Sequence, residues 1–197
     1  MPDFSFEDQY PIPVAGMDEA GRGPWAGPVV AAAVVLDRAN VPDGLNDSKT
    51  LTEKKRLALF ELIEATAQVG IGIGTVAEID RINIARANDL AMERAIAALP
   101  VVPAFVLIDG NWVPRGLSNP ARAIPKGDGL SLSIAAASVI AKVTRDRIMS
   151  DLAARHPGYG WETNKGYGTQ AHRSGLEQLG VTPHHRRSFK PIHKILG

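Results

Sequence analysis

Short apolar segments alternate with segments of helical periodicity along this chain of 197 residues. The apolar segments are rich in Val, Ala and Ile and are bounded by Gly or Pro, which is typical of buried β-strands. They cover residues 12–17, 29–36, 69–76 and 104–108. Apolar residues recur at helical spacing over 53–67, 85–99, 131–155 and 170–179. This alternation predicts an α/β fold, in which helices flank a mixed β-sheet and a helical extension follows at the C-terminal end.

Composition excludes several classes of protein. Hydrophobic residues make up 45% of the chain, which is enough to form a core and excludes intrinsic disorder. Cysteine is absent, which excludes disulfide scaffolds, thiolate zinc sites, iron–sulfur clusters and a cysteine nucleophile. The start of the chain is acidic, which is unlike a secretory signal or a transit peptide. The longest apolar stretch of the whole chain is far shorter than the roughly 18 residues of a membrane span. We therefore expect a cytoplasmic protein without membrane association.

The net charge of +1 conceals an uneven distribution of charge along the chain. Residues 1–100 carry 9 Lys and Arg against 15 Asp and Glu, whereas residues 101–197 carry 13 against 6. All five His lie in the second, basic half. An acidic half joined to a basic half indicates a metal at one place and an anionic partner at another.

Two of the predicted strands end in acidic residues followed by small ones. Asp18 and Glu19 follow residues 12–17, and Asp109 follows 104–108. Ligand sites in α/β sheets lie at the carboxyl ends of strands, so parallel neighbouring strands would bring Asp18 and Asp109 together. Glu19 joins Asp18 only if the strand ends or bulges there, because neighbouring strand residues point to opposite faces. Acids at strand ends also occur in ordinary turns, but two matching ends favour a Mg²⁺ or Mn²⁺ site.

A glycine- and proline-rich segment follows the first acidic pair. Residues 21–28 contain three Gly and two Pro, and this composition predicts a fixed loop whose bare backbone presents N–H groups to a phosphate or a sugar. Arg22 lies within the loop, and arginine is suited to bidentate contact with phosphate. Gly-Arg-Gly alone is a weak signal, because an ordinary tight hairpin has the same composition.

Six segments in order resemble the bacterial ribonuclease HII family. They are 18–28 (DEAGRGPWAGP), 47–51 (DSKTL), 108–110 (IDG), 126–128 (KGD), 134–146 (IAAASVIAKVTRD) and 164–169 (NKGYGT). The similarity runs from about residue 12 to residue 191, which is nearly the whole chain. It implies a ribonuclease H-like fold and Mg²⁺- or Mn²⁺-dependent cleavage of the RNA strand of RNA/DNA hybrids. It also implies nicking on the 5′ side of single ribonucleotides in duplex DNA.

The resemblance implies a cluster of four acidic residues that are both catalytic and metal-binding. Their positions in this chain are Asp18, Glu19, Asp109 and Asp128. Asp146 competes with Asp128 for the fourth place, although an ion pair with a neighbouring arginine is the simpler interpretation of Asp146. We favour Asp128. Two metal ions held by these acids would carry out the hydrolysis.

The resemblance also implies residues that bind the substrate. Gly21, Arg22 and Gly23 would contact the ribonucleotide, and Tyr167 would pack against its sugar, although on the sequence alone a wall residue in a glycine-flanked turn is the simpler interpretation of Tyr167. The 2′-hydroxyl is the group that distinguishes RNA from DNA, so these residues would carry the selectivity. The candidate phosphate contacts are Lys49 and Lys142, although Lys142 could equally extend from the edge of the core.

The C-terminal part of the chain is strongly basic. Residues 165–197 carry six Lys and Arg against one acid, and 184–190 interleaves basic residues with an aromatic one. Such a run either tracks a phosphate backbone or forms a solvated surface, and we take Arg186 as a candidate substrate contact. The four His here fit no zinc-ligand spacing. We expect a catalytic core over 1–160 and a basic, substrate-binding helical extension over 161–197, packed on the core of a monomer.

Three alternatives to this hypothesis remain. Ribonuclease HIII shares the fold but carries an additional N-terminal substrate-binding domain, whereas about ten residues precede the first predicted strand here. A nucleic-acid binding module with a vestigial site would gain nothing from grouped carboxylates, because without metal they repel phosphate. A resolvase or integrase would have a different acidic pattern and no Gly-Arg-Gly and Tyr pair.

Overall fold

A five-stranded mixed sheet forms the centre of the protein in a computed structural model, which describes residues 1–196. The strands are β1 (Val14–Ala20), β2 (Val29–Val35), β3 (Gln68–Gly74), β4 (Phe105–Asp109) and β5 (Ala121–Ile124), in the order β3-β2-β1-β4-β5. β2 runs antiparallel to β1 and β3, whereas β4 runs parallel to β1 and β5. The predicted mixed sheet is thus confirmed, with β5 as an additional edge strand.

Helices cover both faces of this sheet. They are α1 (Glu53–Thr66), α2 (Val76–Ala97), α3 (Leu132–Arg155), α4 (Trp161–Asn164), α5 (Gln170–Leu179) and α6 (Lys190–Leu196). One face packs against α2 through residues such as Met17 and Ile108. The other packs against α1 and α3 through Ala32 and Val34. The predicted helical C-terminal part is confirmed, and it packs against the end of α3 through Trp161.

Side-chain caps fix where the long helices begin. Thr52, Thr75, Ser131 and Thr169 each accept the backbone N–H three residues further on, which satisfies a donor that the first helical turn leaves unpaired. The helix predicted over 85–99 begins earlier, at Val76, because Thr75 caps it. The strand before it ends at residue 74, two residues before the predicted end at 76. The backbone of α2 is not helical at Asn83, where φ is 65°. The helical spacing of apolar residues is interrupted there, so the sequence pattern does not indicate the first turns of α2.

Glycines allow the helices to approach the sheet closely. A Cβ atom on Gly72 would lie 1.9 Å from the carbonyl oxygen of Ala91 in α2. On the other face, a Cβ on Gly16 would lie 2.0 Å from the backbone carbon of Ser133. The glycine face of β3 is therefore approached closely by α2, and the start of α3 lies directly on β1.

None of the helices within residues 1–196 combines the length and apolarity that crossing a membrane requires.

Candidate active site

Three carboxylates meet at one end of the sheet. Met17 and Ile108 are partners in the parallel pair of β1 and β4, so Asp18 and Asp109 lie one residue further along adjacent strands. Asp128 lies in a single 3₁₀ turn immediately before α3. One oxygen atom from each of these three carboxylates lies within 4.8 Å of the other two.

The surroundings of this cluster disfavour negative charge. Asp18 is 5% exposed and Asp128 is 6% exposed. Burial, followed by the charges of Glu19 and Asp109, raises the pKa of Asp18 well above its ordinary value. Burial and the charge of Asp109 also raise the pKa of Asp128. A hard divalent cation offsets both effects, and a donor set of carboxylate oxygens fits Mg²⁺ or Mn²⁺.

Glu19 is adjacent to this cluster but lies on the other face of the sheet. β1 continues without a bulge through Glu19, which pairs with Ala31, to Ala20, so Glu19 points away from Asp18. Its Oε1 accepts a hydrogen bond from Nη1 of Arg22 at 3.2 Å. Burial raises the pKa of Glu19, while Arg22 opposes that rise. Glu19 lies outside the group of three carboxylates whose oxygen atoms approach within 4.8 Å, but it lines the same cavity as Asp18.

Asp146, the alternative fourth acid, lies outside the cluster. Its Oδ1 accepts a hydrogen bond from Nζ of Lys142 at 2.8 Å, one helical turn earlier in α3. The structure brings Asp128 instead of Asp146 to Asp18 and Asp109.

A cavity of about 310 Å³ adjoins the carboxylates and collects most of the predicted substrate-binding residues. Its lining includes Asp18, Glu19, Gly21, Arg22, Gly23, Lys49, Lys142 and Tyr167. Nζ of Lys49 lies 3.6 Å from Oδ2 of Asp128. The half-exposed ring of Tyr167 lies beside Gly23, where a Cβ atom would stand 3.5 Å from the ring.

Arg186 supports the loop of residues 21–28 from inside the protein. It is fully buried, and its guanidinium donates hydrogen bonds of 2.5–3.1 Å to the carbonyl oxygens of Gly21, Arg22, Gly27 and Pro28. Burial lowers the pKa of Arg186 to about 9, so it remains charged at neutral pH. The structure therefore does not place Arg186 at the surface, where we expected it to contact substrate, because the loop itself occupies the guanidinium.

Arg145 is a second support of this loop that sequence reasoning missed. It is 2% exposed and donates to the carbonyl oxygens of Ala26, Pro28 and Lys165 at 2.9–3.2 Å. A Cβ atom on Gly21 would lie 1.9 Å from Nε of Arg145, so only glycine fits there. The position of Arg145 on the apolar face of the predicted helix 131–155 could have indicated this role, because a buried cation needs several hydrogen-bond partners.

Two buried histidines connect the C-terminal helices to Tyr167. Nε2 of His172 lies 3.0 Å from Nε2 of His185, and His172 Nδ1 lies 3.0 Å from the carbonyl oxygen of Tyr167. Since a carbonyl only accepts, His172 carries its proton on Nδ1. Its free Nε2 accepts from Nε1–H of Trp161 at 3.1 Å. Burial lowers the pKa of both histidines, to about 3 for His185, which keeps them neutral.

The sheet order, its flanking helices and the carboxylates at the ends of two parallel strands define a nuclease of the ribonuclease H-like fold. A family model described as Ribonuclease HII matches residues 15–192. The chain belongs to the ribonuclease HII family. It is 62% identical over 199 residues to Ribonuclease HII from Ruegeria pomeroyi, an alignment that covers 99% of this chain and 85% of that relative.

Solved structures agree with this assignment. The crystal structure of the ribonuclease H2 from Pyrococcus horikoshii OT3 is 29% identical, with a TM-score of 0.78 over 92% of this chain and 96% of that one. Bst-RNase HIII in complex with Mn²⁺ shares the fold at 22% identity, with a TM-score of 0.75 over 93% of this chain and 68% of that one. The chain is accordingly an endonuclease of the ribonuclease H type, a hydrolase that acts on RNA/DNA hybrids.

Proposed function

We propose that this protein cuts the RNA strand of RNA/DNA hybrids and also nicks duplex DNA on the 5′ side of single ribonucleotides. The observation that carries the proposal is the position of the carboxylates of Asp18, Asp109 and Asp128 beside the cavity of about 310 Å³. One wall of that cavity is the loop of residues 21–28, and another is Tyr167.

Asp18, Asp109 and Asp128 would hold Mg²⁺ or Mn²⁺, and Glu19 would complete the set from the opposite face, close to Asp109. Two such ions would supply an activated water and neutralise the charge that develops on the phosphate and the leaving oxygen. The carboxylates lie on two central strands and on a turn held against the start of α3. This rigid support fixes the oxygen atoms before substrate binds, which lowers the cost of ordering them.

The loop of residues 21–28 would select the ribonucleotide. The backbone of Gly21 and Gly23 would contact the sugar, and the ring of Tyr167 beside Gly23 would pack against it. The missing Cβ of Gly21 leaves room for Arg145 behind the loop. Arg145 and Arg186 bind the carbonyl oxygens of the loop from inside and so hold it in one conformation. Arg186 would thus act on substrate through the loop instead of touching it.

Lysines near the carboxylates would bind the phosphate backbone. Lys49 and Lys142 line the cavity, although Lys142 must then share its ammonium with Asp146. The C-terminal extension of residues 161–197 presents further basic side chains, which would hold the duplex. We also propose that the protein acts as a monomer in the cytoplasm.

A cleavage assay on duplex DNA that contains one ribonucleotide tests this function. We expect nicking on the 5′ side of that ribonucleotide with Mg²⁺ or Mn²⁺, and none with EDTA or with an all-DNA duplex. Asp109→Asn should abolish nicking while leaving binding of the hybrid largely intact. Asp151→Asn is the matched control, because it removes an exposed acid of α3 that lies outside the cluster. A wild-type protein that fails to nick in the presence of metal would refute the proposal and favour a binding module with a vestigial site.

A further inference from the structure

A second cavity, of about 580 Å³, opens beside the carboxylates on the α2 face of the sheet. It shares Glu19, Arg22 and Asp109 with the candidate active site. Its other walls are the middle of α2, from Asn83 to Met92, and the residues that follow β4. Its volume lies within the roughly 300–1,000 Å³ of ordinary ligand pockets. The function proposed above leaves this space unused.

An exposed but tethered indole forms the outer wall of this cavity. Trp112 is 52% exposed, yet its Nε1–H donates to Oδ1 of Asp89 at 3.0 Å. Asp89 is buried, and its Oδ2 accepts from Nη1 of Arg86 at 2.9 Å. A buried carboxylate thus orients both an indole and a guanidinium at the rim. The ring is thus held in one orientation at the mouth of the cavity, where its apolar face is available to a ligand.

The rim of this cavity is rich in arginine. Arg22, Arg86 and Arg115 all line it, and the guanidinium of Arg115 lies 5.6 Å from the centroid of the Trp112 ring. An arginine beside an aromatic ring is a common arrangement for binding a nucleic-acid strand, because it offers a planar phosphate contact and an apolar surface together. In the same wall, the buried side-chain oxygen of Asn88 has no hydrogen-bond partner among residues 1–196.

We propose that this cavity is a second nucleotide subsite, in which Arg115 binds a backbone phosphate and Trp112 packs against the sugar of a nucleotide flanking the cleaved linkage. The inference rests on the proposed function and extends it. The two cavities share Glu19 and Arg22 in their walls. A strand whose ribonucleotide lies at the loop of residues 21–28 would continue past the carboxylates to Trp112.

Steady-state kinetics on the duplex with one ribonucleotide tests the subsite. Trp112→Ala should raise KM about tenfold, the scale of one aromatic contact to a nucleotide, with a smaller change in kcat. Trp112→Phe keeps a ring without the tether to Asp89 and should give an intermediate KM. Arg115→Ala should raise KM and reduce its dependence on salt, whereas Arg155→Ala, which removes an exposed arginine at the end of α3, should not.

Uncharged analogues of the phosphate linkage identify the phosphate that Arg115 contacts. Methylphosphonate linkages are placed one at a time on either side of the ribonucleotide. At one flanking position we expect the substitution to raise KM for the wild type and to add nothing in Arg115→Ala. If KM of Trp112→Ala and Arg115→Ala equals that of the wild type, or if every methylphosphonate acts equally on Arg115→Ala and the wild type, the subsite is refuted. A wild type that does not cut would instead refute the proposed function.

Discussion

Replacing Asp18 by Asn tests whether the acidic cluster destabilises the protein when no metal is bound. Asp18 is buried, and one of its oxygen atoms lies within 4.8 Å of carboxylate oxygens of Asp109 and Asp128. Asparagine has nearly the same shape, and its side-chain oxygen can still accept the backbone N–H of Glu19, now 2.7 Å from Asp18 Oδ1. The substitution therefore removes a charge and little else.

The magnitude follows from the distance between the charges. Two like charges separated by at most 4.8 Å repel by about 3 kcal/mol or more at an effective dielectric constant of about 20. Partial protonation of the cluster relieves some of this repulsion, because burial and neighbouring acids raise the pKa of Asp18. We therefore expect the free energy of unfolding of Asp18→Asn to exceed that of the wild type by about 1–2 kcal/mol at neutral pH.

The raised pKa of Asp18 determines how the stability difference between Asp18→Asn and the wild type changes with pH. A raised pKa means that the folded wild type holds a proton which the unfolded chain releases above its own pKa near 3.8. The contribution of Asp18 to the stability of the wild type is therefore fully present below pH 3.8 and is lost as pH rises towards the folded-state pKa of Asp18. The advantage of Asp18→Asn should be small near pH 4 and should grow towards pH 7.

Urea unfolding in EDTA at several pH values measures the difference in the free energy of unfolding between the two proteins. If the dependence of that free energy on urea concentration is the same for both, the shift in the midpoint concentration of urea gives the difference. Addition of Mg²⁺ or Mn²⁺ should stabilise the wild type more than Asp18→Asn, and the variant should not cleave. Asp146→Asn is the control, because its carboxylate has a cationic partner in Lys142 and its loss should not stabilise. If Asp18→Asn is no more stable than the wild type at pH 7 in EDTA, charge crowding does not describe this cluster.

Three further substitutions test other parts of the structure. Gly16→Ala should lower the free energy of unfolding by about 1–3 kcal/mol, because the new Cβ meets the backbone of Ser133; an unchanged melting temperature would contradict this. Arg186→Lys should cost about 2–4 kcal/mol and raise KM for the ribonucleotide substrate, since lysine cannot reach all four carbonyl oxygens; wild-type values of both would refute its role as a support. His185 has its pKa lowered to about 3 by burial, so below pH 6.5 only the unfolded chain binds its proton, and acidification destabilises the wild type by about 1.4 kcal/mol per pH unit. His185→Asn should therefore flatten the stability curve between pH 6.5 and 5, and equal slopes would show that His185 does not titrate as its burial requires.

Sequence patterns predicted the central part of the fold better than its edges. The apolar segments that became β1 and β4 are bounded clearly by Gly and Pro, and their acidic ends predicted the proximity of Asp18 and Asp109. β5 escaped prediction because its four residues include the exposed Arg122 and give no apolar run. The first turns of α2 escaped because the break at Asn83 interrupts the helical spacing.

Long-range contacts limited prediction of the site. Arg186 lies in a basic run that resembles a solvated surface, yet it bonds to a carbonyl oxygen 165 residues away, at Gly21. No local pattern carries that information. The position of Glu19 was hard to predict for a different reason. The face of the sheet to which its side chain points depends on whether β1 continues past Asp18. Pairing with β2 decides that question, since the register with Ala31 and Val30 extends the strand to Ala20.

The support of residues 21–28 by Arg145 and Arg186 has a consequence for the order in which the protein is made. The last carboxylate of the cluster, Asp128, is synthesised 58 residues before Arg186. A growing chain therefore contains every acid of the cluster before the loop that would recognise the ribonucleotide has both of its supports. A chain interrupted between these two residues would carry all the acids of the cluster but would lack Arg186, one of the two supports of the loop.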